Sequence, residues 1–223
     1  MTLTLERIFL FMLKYKNVYE SLLKDTSPYV MLKLKKHLSP KDVILDIGSA
    51  QGYLSSRMLN FVDLVYCYDI SQSSNKKRAV LFPSLVNIEK LDDIKRPMHK
   101  KISIVTLISV IQYMELEEIE RLFSFFQEQG VNKIVLGDVD LGAPKSLSAL
   151  SALKNIFFYK GLPSALNLLM FYFYKVIFVK DFPNNFVLGD LEKICRDNGF
   201  NICKIENNVG LCNHRATFIC TQN

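Results

Sequence analysis

Asp46-x-Gly48-x-x-x-Gly52 is the spacing in this chain best suited to chemistry. The acid sits in a short apolar run, Val43-Ile44-Leu45-Asp46-Ile47, and two glycines punctuate the loop behind it. Such a run predicts a buried parallel strand. Gly48 and Gly52 stand where a backbone must turn sharply and admit a ligand. Tyr53 to Asn60 is helix-compatible, so free N–H groups of a helix start would face whatever lies over the loop. A pyrophosphate loop of the G-x-G-x-x-G kind wants glycine at three positions that here hold Gly48, Ala50 and Tyr53. A carboxylate at Asp46 would also repel a pyrophosphate, whereas it suits an ammonium or a sulfonium.

Further acids recur at strand ends. Leu64-Val65-Tyr66-Cys67-Tyr68 reads as a second buried strand ending at Asp69. An acid about 20 residues past a glycine loop is placed to hold the two hydroxyls of a ribose. Asp69 could instead cap the helix entered at Ser71 to Asn75. A third, shorter strand runs from Val86 to Leu91 and ends in Asp92-Asp93. Ile102 to Ile108 is continuous and rich in β-branched residues, as a central fourth strand should be, and Ser109-Val110-Ile111-Gln112-Tyr113 follows it.

The Asp46, Gly48, Gly52 spacing closely resembles the first motif of class I S-adenosylmethionine-dependent methyltransferases, acid-x-Gly-x-Gly-x-Gly, with Ala50 in place of the middle glycine. The resemblance covers residues 40–138 well and 187–221 by topology alone. It implies S-adenosylmethionine as cofactor, held by Asp46, Gly48, Ser49, Ala50, Gly52 and Tyr53, with Asp69 and its neighbour Ile70 at the ribose. Asp92, or less favourably Asp93, would approach the adenine amino group, and Ser109 and Gln112 would line the donor pocket. Such families commonly carry an acid near the start of the fourth strand; Ser103 stands there instead.

A methyl group on a sulfonium is already activated, so aligning an acceptor lone pair behind it is the main requirement. A hydroxyl acceptor also gains from a general base. Candidates are Asp138, His214 and Tyr113, with Asp140 beside the first. Each also has a bland reading, as a solvated strand end or a hydrogen-bonded surface side chain. The expected activity is methyl transfer to an O or N atom of a small molecule, such as a saccharide or secondary metabolite. An RNA methyltransferase is the alternative, but the chain shows no added RNA-binding module and no Asn-Pro-Pro-Tyr-like loop after the fourth strand. A non-catalytic binding protein of the same fold is the second alternative, and intact Asp46, Gly48, Gly52 and Asp69 argue against it.

These residues need a scaffold, and the pattern predicts an α/β, Rossmann-like, doubly wound sheet. Seven strands are expected, mostly parallel, with an antiparallel C-terminal strand, N-terminal helices and a helical lid insertion. The 223 residues fit one domain, and 49% hydrophobic content excludes a disordered chain. Its parts would be an N-terminal helical cap (1–39), a donor-binding core (40–139), the lid (140–186) and a closing helix with two strands (187–223). Thr26-Ser27-Pro28 marks a helix start within the cap, with Ser27 as its N-cap. Leu116 to Gln129 is the clearest helix, stopped by Gly130. Val131 to Val139 supplies the fifth strand, Leu188 to Asn198 the last helix, and Phe200–Ile205 and His214–Thr221 the last strands.

Five scattered cysteines with no C-x-x-C pair point to buried thiols in a reducing, cytoplasmic setting. The three histidines lack ligand spacing, so no metal is expected, and no secretory signal is expected at the N-terminus. A formal charge of +6 is spread over short runs such as Lys76-Lys77-Arg78, which read as a solvated face rather than a nucleic-acid groove. Residues 162–179 are rich in large apolar side chains, interrupted by Asn167 and Lys175. A lid packed over the site is the leading reading; a homodimer face and peripheral membrane contact are the others.

Overall fold

The computed structural model describes residues 21, 23–88, 100–141, 145–166, 168–169, 188–210, 212–213 and 215–223; for 145–149 it gives backbone alone. Described helices and strands, in chain order, are α1 (23–34), β1 (Val43–Ile47), α2 (Tyr53–Met58), β2 (Leu64–Tyr68), α3 (Gln72–Leu81) and β3 (Val86–Ile88). They continue with β4 (Ile104–Ile108), α4 (Leu116–Glu128), β5 (Lys133–Val139), α5 (Lys145–Lys160), α6 (162–166 and 168–169), α7 (Leu188–Asp197), β6 (Phe200–Ile205) and β7 (Ala216–Gln222).

The seven strands form one sheet in the order β3-β2-β1-β4-β5-β7-β6. Strands β1 to β5 pair in parallel, and β7 runs antiparallel to both β5 and β6. The order reverses between β1 and β4, and ligand crevices of open α/β sheets open beyond the carboxyl ends at such a switch point.

Strand alternation divides the core. Val43, Leu45 and Ile47 of β1 join Tyr66, Val105, Leu107, Ile134 and Leu136 on one face, packed by Phe123 and Phe126 of α4 and Leu191 and Ile194 of α7. Ile44, Val65, Cys67, Ile104 and Val135 point to the other face and meet Met31 and Leu34 of α1 and Met58 of α2. Each such fully buried side chain contributes roughly 1.5–3 kcal/mol. Asp46 and Thr106 share the alternation of Ile44 and Ile104, so both point toward α2 and are partners in register.

Helix α1 differs from the sequence expectation: it runs straight through Ser27-Pro28 instead of starting there. Pro28 cannot donate to the Lys24 carbonyl one turn back. The Ser27 hydroxyl takes over, donating to that carbonyl at 3.1 Å, and accepts from Arg57 Nε at 3.0 Å. Strand β3 is described only to Ile88, and Asp92 and Asp93 lie outside the described residues. The other strands, α2, α4 and α7 match expectation to within about two residues, the usual uncertainty of helix and strand ends, while α3 continues to Leu81, beyond the expected Ser71 to Asn75.

Candidate functional site

The loop after β1 is left-handed at alternate residues: φ is +72° at Gly48, +47° at Ala50 and +82° at Gly52. Its first turn is tied to the end of β2, where the Gly48 and Ser49 N–H groups both donate to the Tyr68 carbonyl, at 2.8 and 3.1 Å. Asp69 closes the tie: one carboxylate oxygen accepts from Ala50 N–H and the other from Ser71 N–H, both at 2.8 Å. Asp69 thus clamps the loop and the entry to α3, while Ser71 is the N-cap, accepting from Ser74 N–H at 3.3 Å.

The two glycines answer packing needs that sequence alone did not show. A β-carbon at Gly48 would collide with the Val110 side chain from the segment after β4. At Gly52 it would meet the Arg78 side chain at 2.7 Å and Leu85 at 2.9 Å. The loop is pressed from two sides by this chain's own side chains.

Asp46 lies beneath the loop and is 3% exposed. Its carboxylate accepts from Ser55 Oγ of α2 at 2.5 Å and from Thr106 Oγ1 of β4 at 2.7 Å. Burial pushes its pKa up to about 6, opposed by these two hydroxyls and by the charge of Arg78. No described cation touches it. A buried anion whose described hydrogen-bond partners are both hydroxyls remains open to stabilisation by a cationic ligand.

Arg78, read from sequence as part of a solvated basic run, has no exposed surface. Helical spacing turns it inward while Lys76 stays out. Its five N–H groups all find oxygen: Nε on Asn87 Oδ1 (2.5 Å), Nη1 on Ser49 Oγ (2.8 Å) and the Ala50 carbonyl (2.7 Å), Nη2 on Asn75 Oδ1 (2.7 Å) and the Cys67 carbonyl (3.4 Å). None of the acceptors is a carboxylate. A single side chain therefore braces the loop, α3, β2 and β3.

A second polar cluster forms at the ends of β4 and β5. Asp138, beside the irregularity in the β5–β7 pairing, has φ +59°, and Ser109 after β4 also has φ +59°. Ser109 Oγ donates to Asp138 Oδ2 at 2.7 Å, as does Arg215 Nη1 at 2.8 Å. Asn208 Nδ2 donates to Asp138 Oδ1 at 2.8 Å, and Asp138 N–H returns a bond to Asn208 Oδ1 at 3.1 Å. Arg215 Nη2 also lies 3.5 Å from Asp140. Burial works against the Arg215 charge, and Asp138 outweighs it, raising the guanidinium pKa. Gly210 presses so closely that any β-carbon there would overlap the Asp138 carboxyl.

The remaining expected residues fall in varied places. Gln112 is 1% exposed, and both its amide atoms lack a hydrogen-bond partner; Gln51 Oε1 is similarly buried and unmet. Tyr53 stacks edge-on against Phe82 at 5.4 Å. Ile70 is 91% exposed and Tyr113 57% exposed. His214 lies outside the described residues. Ser55, Thr106, Asn87 and Asn208 entered no expectation for the site, and Arg78 entered only as part of a solvated run. Parity could have found Thr106, since it is the polar member of β4 facing the same side as Asp46; nothing local singles out Asn208. Among the described residues no group of three or more acidic, histidine or cysteine side chains could hold a metal ion.

No protein-family model matches the sequence, and no curated protein matches it significantly. Solved structures match the fold. Magnesium protoporphyrin IX methyltransferase (ChlM) from Synechocystis PCC 6803, with bound S-adenosylhomocysteine, aligns with TM-score 0.54 at 16% identity, over 100% of this chain and 90% of that one. Streptomyces venezuelae DesVI gives TM-score 0.62 at 13% identity, over 93% and 98%. An S-adenosylmethionine-dependent methyltransferase from Clostridium acetobutylicum gives 0.58 at 13%, over 94% and 98%. The fold is that of the class I S-adenosylmethionine-dependent methyltransferases, as the first glycine loop implied.

Proposed function

We propose that this chain is an S-adenosylmethionine-dependent methyltransferase acting on an O or N atom of a small molecule. The observation that carries the reading is the Asp69 clamp on Ala50 N–H, which draws a left-handed loop over buried Asp46 beside the sheet's switch point. The residues fit the donor: a buried carboxylate that no described cation touches suits a sulfonium, and unmet Gln51 and Gln112 supply polar atoms for a nucleoside. Asp46, Gly48, Ser49, Ala50, Gly52 and Tyr53 would hold it, Asp69 and Ile70 would meet the ribose, and Ser109, Gln112 and Asp92 would complete the pocket.

The bound donor supplies an activated methyl group, and this chain's residues position and shield. Asp46 keeps a negative charge out of water, where it acts more strongly on a nearby cation. Asp138 is committed to Ser109, Arg215 and Asn208, so its role is to fix the edge of the acceptor side rather than to accept a proton. Tyr113, exposed beside the pocket segment, and His214 remain the base candidates for a hydroxyl acceptor.

The α5–α6 layer fits a lid. It meets α1 through Tyr29–Tyr159 rings 5.4 Å apart and through Ser164 Oγ donating to Asp25 at 2.9 Å, and it meets the segment before β7 through Asn155 donating to Asn213 at 2.8 Å. A cytoplasmic setting fits buried Cys195 and Cys220, whose sulfurs lie 3.5 Å apart as free thiols. Calorimetry with S-adenosylhomocysteine tests the proposal: the chain should bind it, and Asp69→Ala should weaken binding at least tenfold. Absence of binding by the folded chain would refute the reading.

A further inference from the structure

Helices α5 and α6 carry their larger apolar side chains on the wrong side. Their inner faces use Ala152, Ile156, Ala165 and Leu168, packed with Cys212 in a small satellite cluster. On α5, Leu150, Lys154, Phe157 and Phe158 lie on one helical stripe, and all four are exposed, Leu150 by 65% and Phe158 by 76%. On α6, Leu162, Leu166 and Leu169 repeat the pattern at i, i+4 and i+7, each at least half exposed. Large apolar side chains exposed in register along a helical stripe mark a contact site rather than the scattered exposure of an ordinary surface.

Charge selects the partner. Residues 141–180 contain no aspartate or glutamate and five lysines, in a chain with 22 acids. Lys154 lies within the α5 stripe and Lys160 at its end, its ammonium over the Tyr159 ring at 5.6 Å. Aromatic and leucine side chains flanked by lysine, on a segment that carries no acid of its own, match the surface of an anionic bilayer: apolar groups enter the acyl boundary and ammonium groups stay at the headgroups. A second copy of the chain would bring the same lysines together and gains nothing from the absence of acids. No described helix is long and apolar enough to cross a membrane.

We propose that the outward faces of α5 and α6 form a docking surface for anionic lipid bilayers, with the stripe Leu150–Lys154–Phe157–Phe158 at its centre. This stands independently of the methyltransferase reading, since it rests only on the surface of two helices. Flotation of the full chain tests it, using vesicles of phosphatidylcholine alone or mixed equally with phosphatidylglycerol, at low and high salt. The chain should bind the anionic vesicles at least fivefold better than the neutral ones and lose that margin at high salt. Phe157→Ser with Phe158→Ser should reduce binding to both vesicles at least tenfold. Lys154→Glu with Lys160→Glu should abolish the preference for anionic lipid. All variants should keep the wild-type circular dichroism spectrum and melting temperature, because the altered side chains are exposed. Failure of the folded wild-type chain to float would overturn the proposal, as would flotation that neither double variant changes. Sedimentation showing a dimer that the phenylalanine variant dissolves, with no vesicle binding, would assign the face to a second copy instead.

Discussion

Ser109 and Asp138 end neighbouring parallel strands, both adopt φ +59°, and the serine hydroxyl donates to the aspartate carboxylate at 2.7 Å. Left-handed backbone at a residue with a β-carbon costs on the order of 1–3 kcal/mol. Here two such residues hold each other, with Arg215 and Asn208 completing the grip. Ala50, the third left-handed non-glycine residue among those described, sits at the end of β1 on the same edge of the sheet. Strain gathered at one edge is what a ligand crevice needs, because it fixes backbone where the chain would otherwise relax.

Asp138→Ala should be a stability variant before it is a catalytic one. It strips Arg215 of its nearest carboxylate and leaves Ser109 and Asn208 with an unmet donor each. Loss of one partner from a buried ion pair costs about 3–5 kcal/mol. Urea denaturation should show a loss of that order. A variant as stable as wild type but without activity would return Asp138 to the role of a free base.

Asp46 predicts a pH signature. Its folded pKa near 6 exceeds the ordinary value of 3.8, so the folded state binds this proton more tightly than the unfolded chain. Its contribution to stability is therefore fully present below pH 3.8 and is lost as pH rises through 6. Over that window the loss is on the order of 3 kcal/mol. Asp46→Asn removes the effect: relative to wild type it should gain stability between pH 4 and pH 7. Denaturation midpoints of both proteins measured across that range check the sign. The same substitution should weaken cationic S-adenosylmethionine more than neutral S-adenosylhomocysteine, read by calorimetry.

Gly48→Ala and Ala50→Gly should part company. The first puts a β-carbon into Val110 at φ +72° and should abolish donor binding. The second relieves a left-handed alanine, leaves the Asp69 bond to the backbone intact, and should raise stability or leave it within about 1 kcal/mol. Thermal melts with and without S-adenosylhomocysteine distinguish them.

Arg78→Lys should not rescue Arg78→Met. An ammonium has three donors and cannot span five acceptors on four segments. Both variants should lose about 3 kcal/mol or more, since buried acceptors are left unmet. Near-native melting of Arg78→Lys would show that charge, and not the planar fork, is what the loop requires.

Much of this arrangement was legible in the sequence where the signal is local. The apolar runs at 43–47 and 64–68 became strands with those bounds, because a central parallel strand is apolar on both faces. The spacing of Asp46, Gly48 and Gly52 located the loop correctly. Its glycines, however, answer to Val110 and Arg78, which arrive from distant segments and leave no mark beside them. The run Lys76-Lys77-Arg78 misled because composition averages over a helix face, whereas one residue in three or four turns inward. Pro28 misled for a similar reason: a serine next to it repaired the lost hydrogen bond.

The all-neutral coordination of Arg78 has an electrostatic consequence for turnover. Among the described residues, the Asp46 and Asp69 carboxylates and the Arg78 guanidinium together carry one net negative charge around the loop. On the proposed function, a sulfonium nucleoside brings that sum to zero and its demethylated product returns it to minus one. Chemistry itself would then loosen the site's hold on what remains, and proton uptake at Asp46, whose pKa is pushed up to about 6, offers these three groups a way to rest neutral until the next donor arrives.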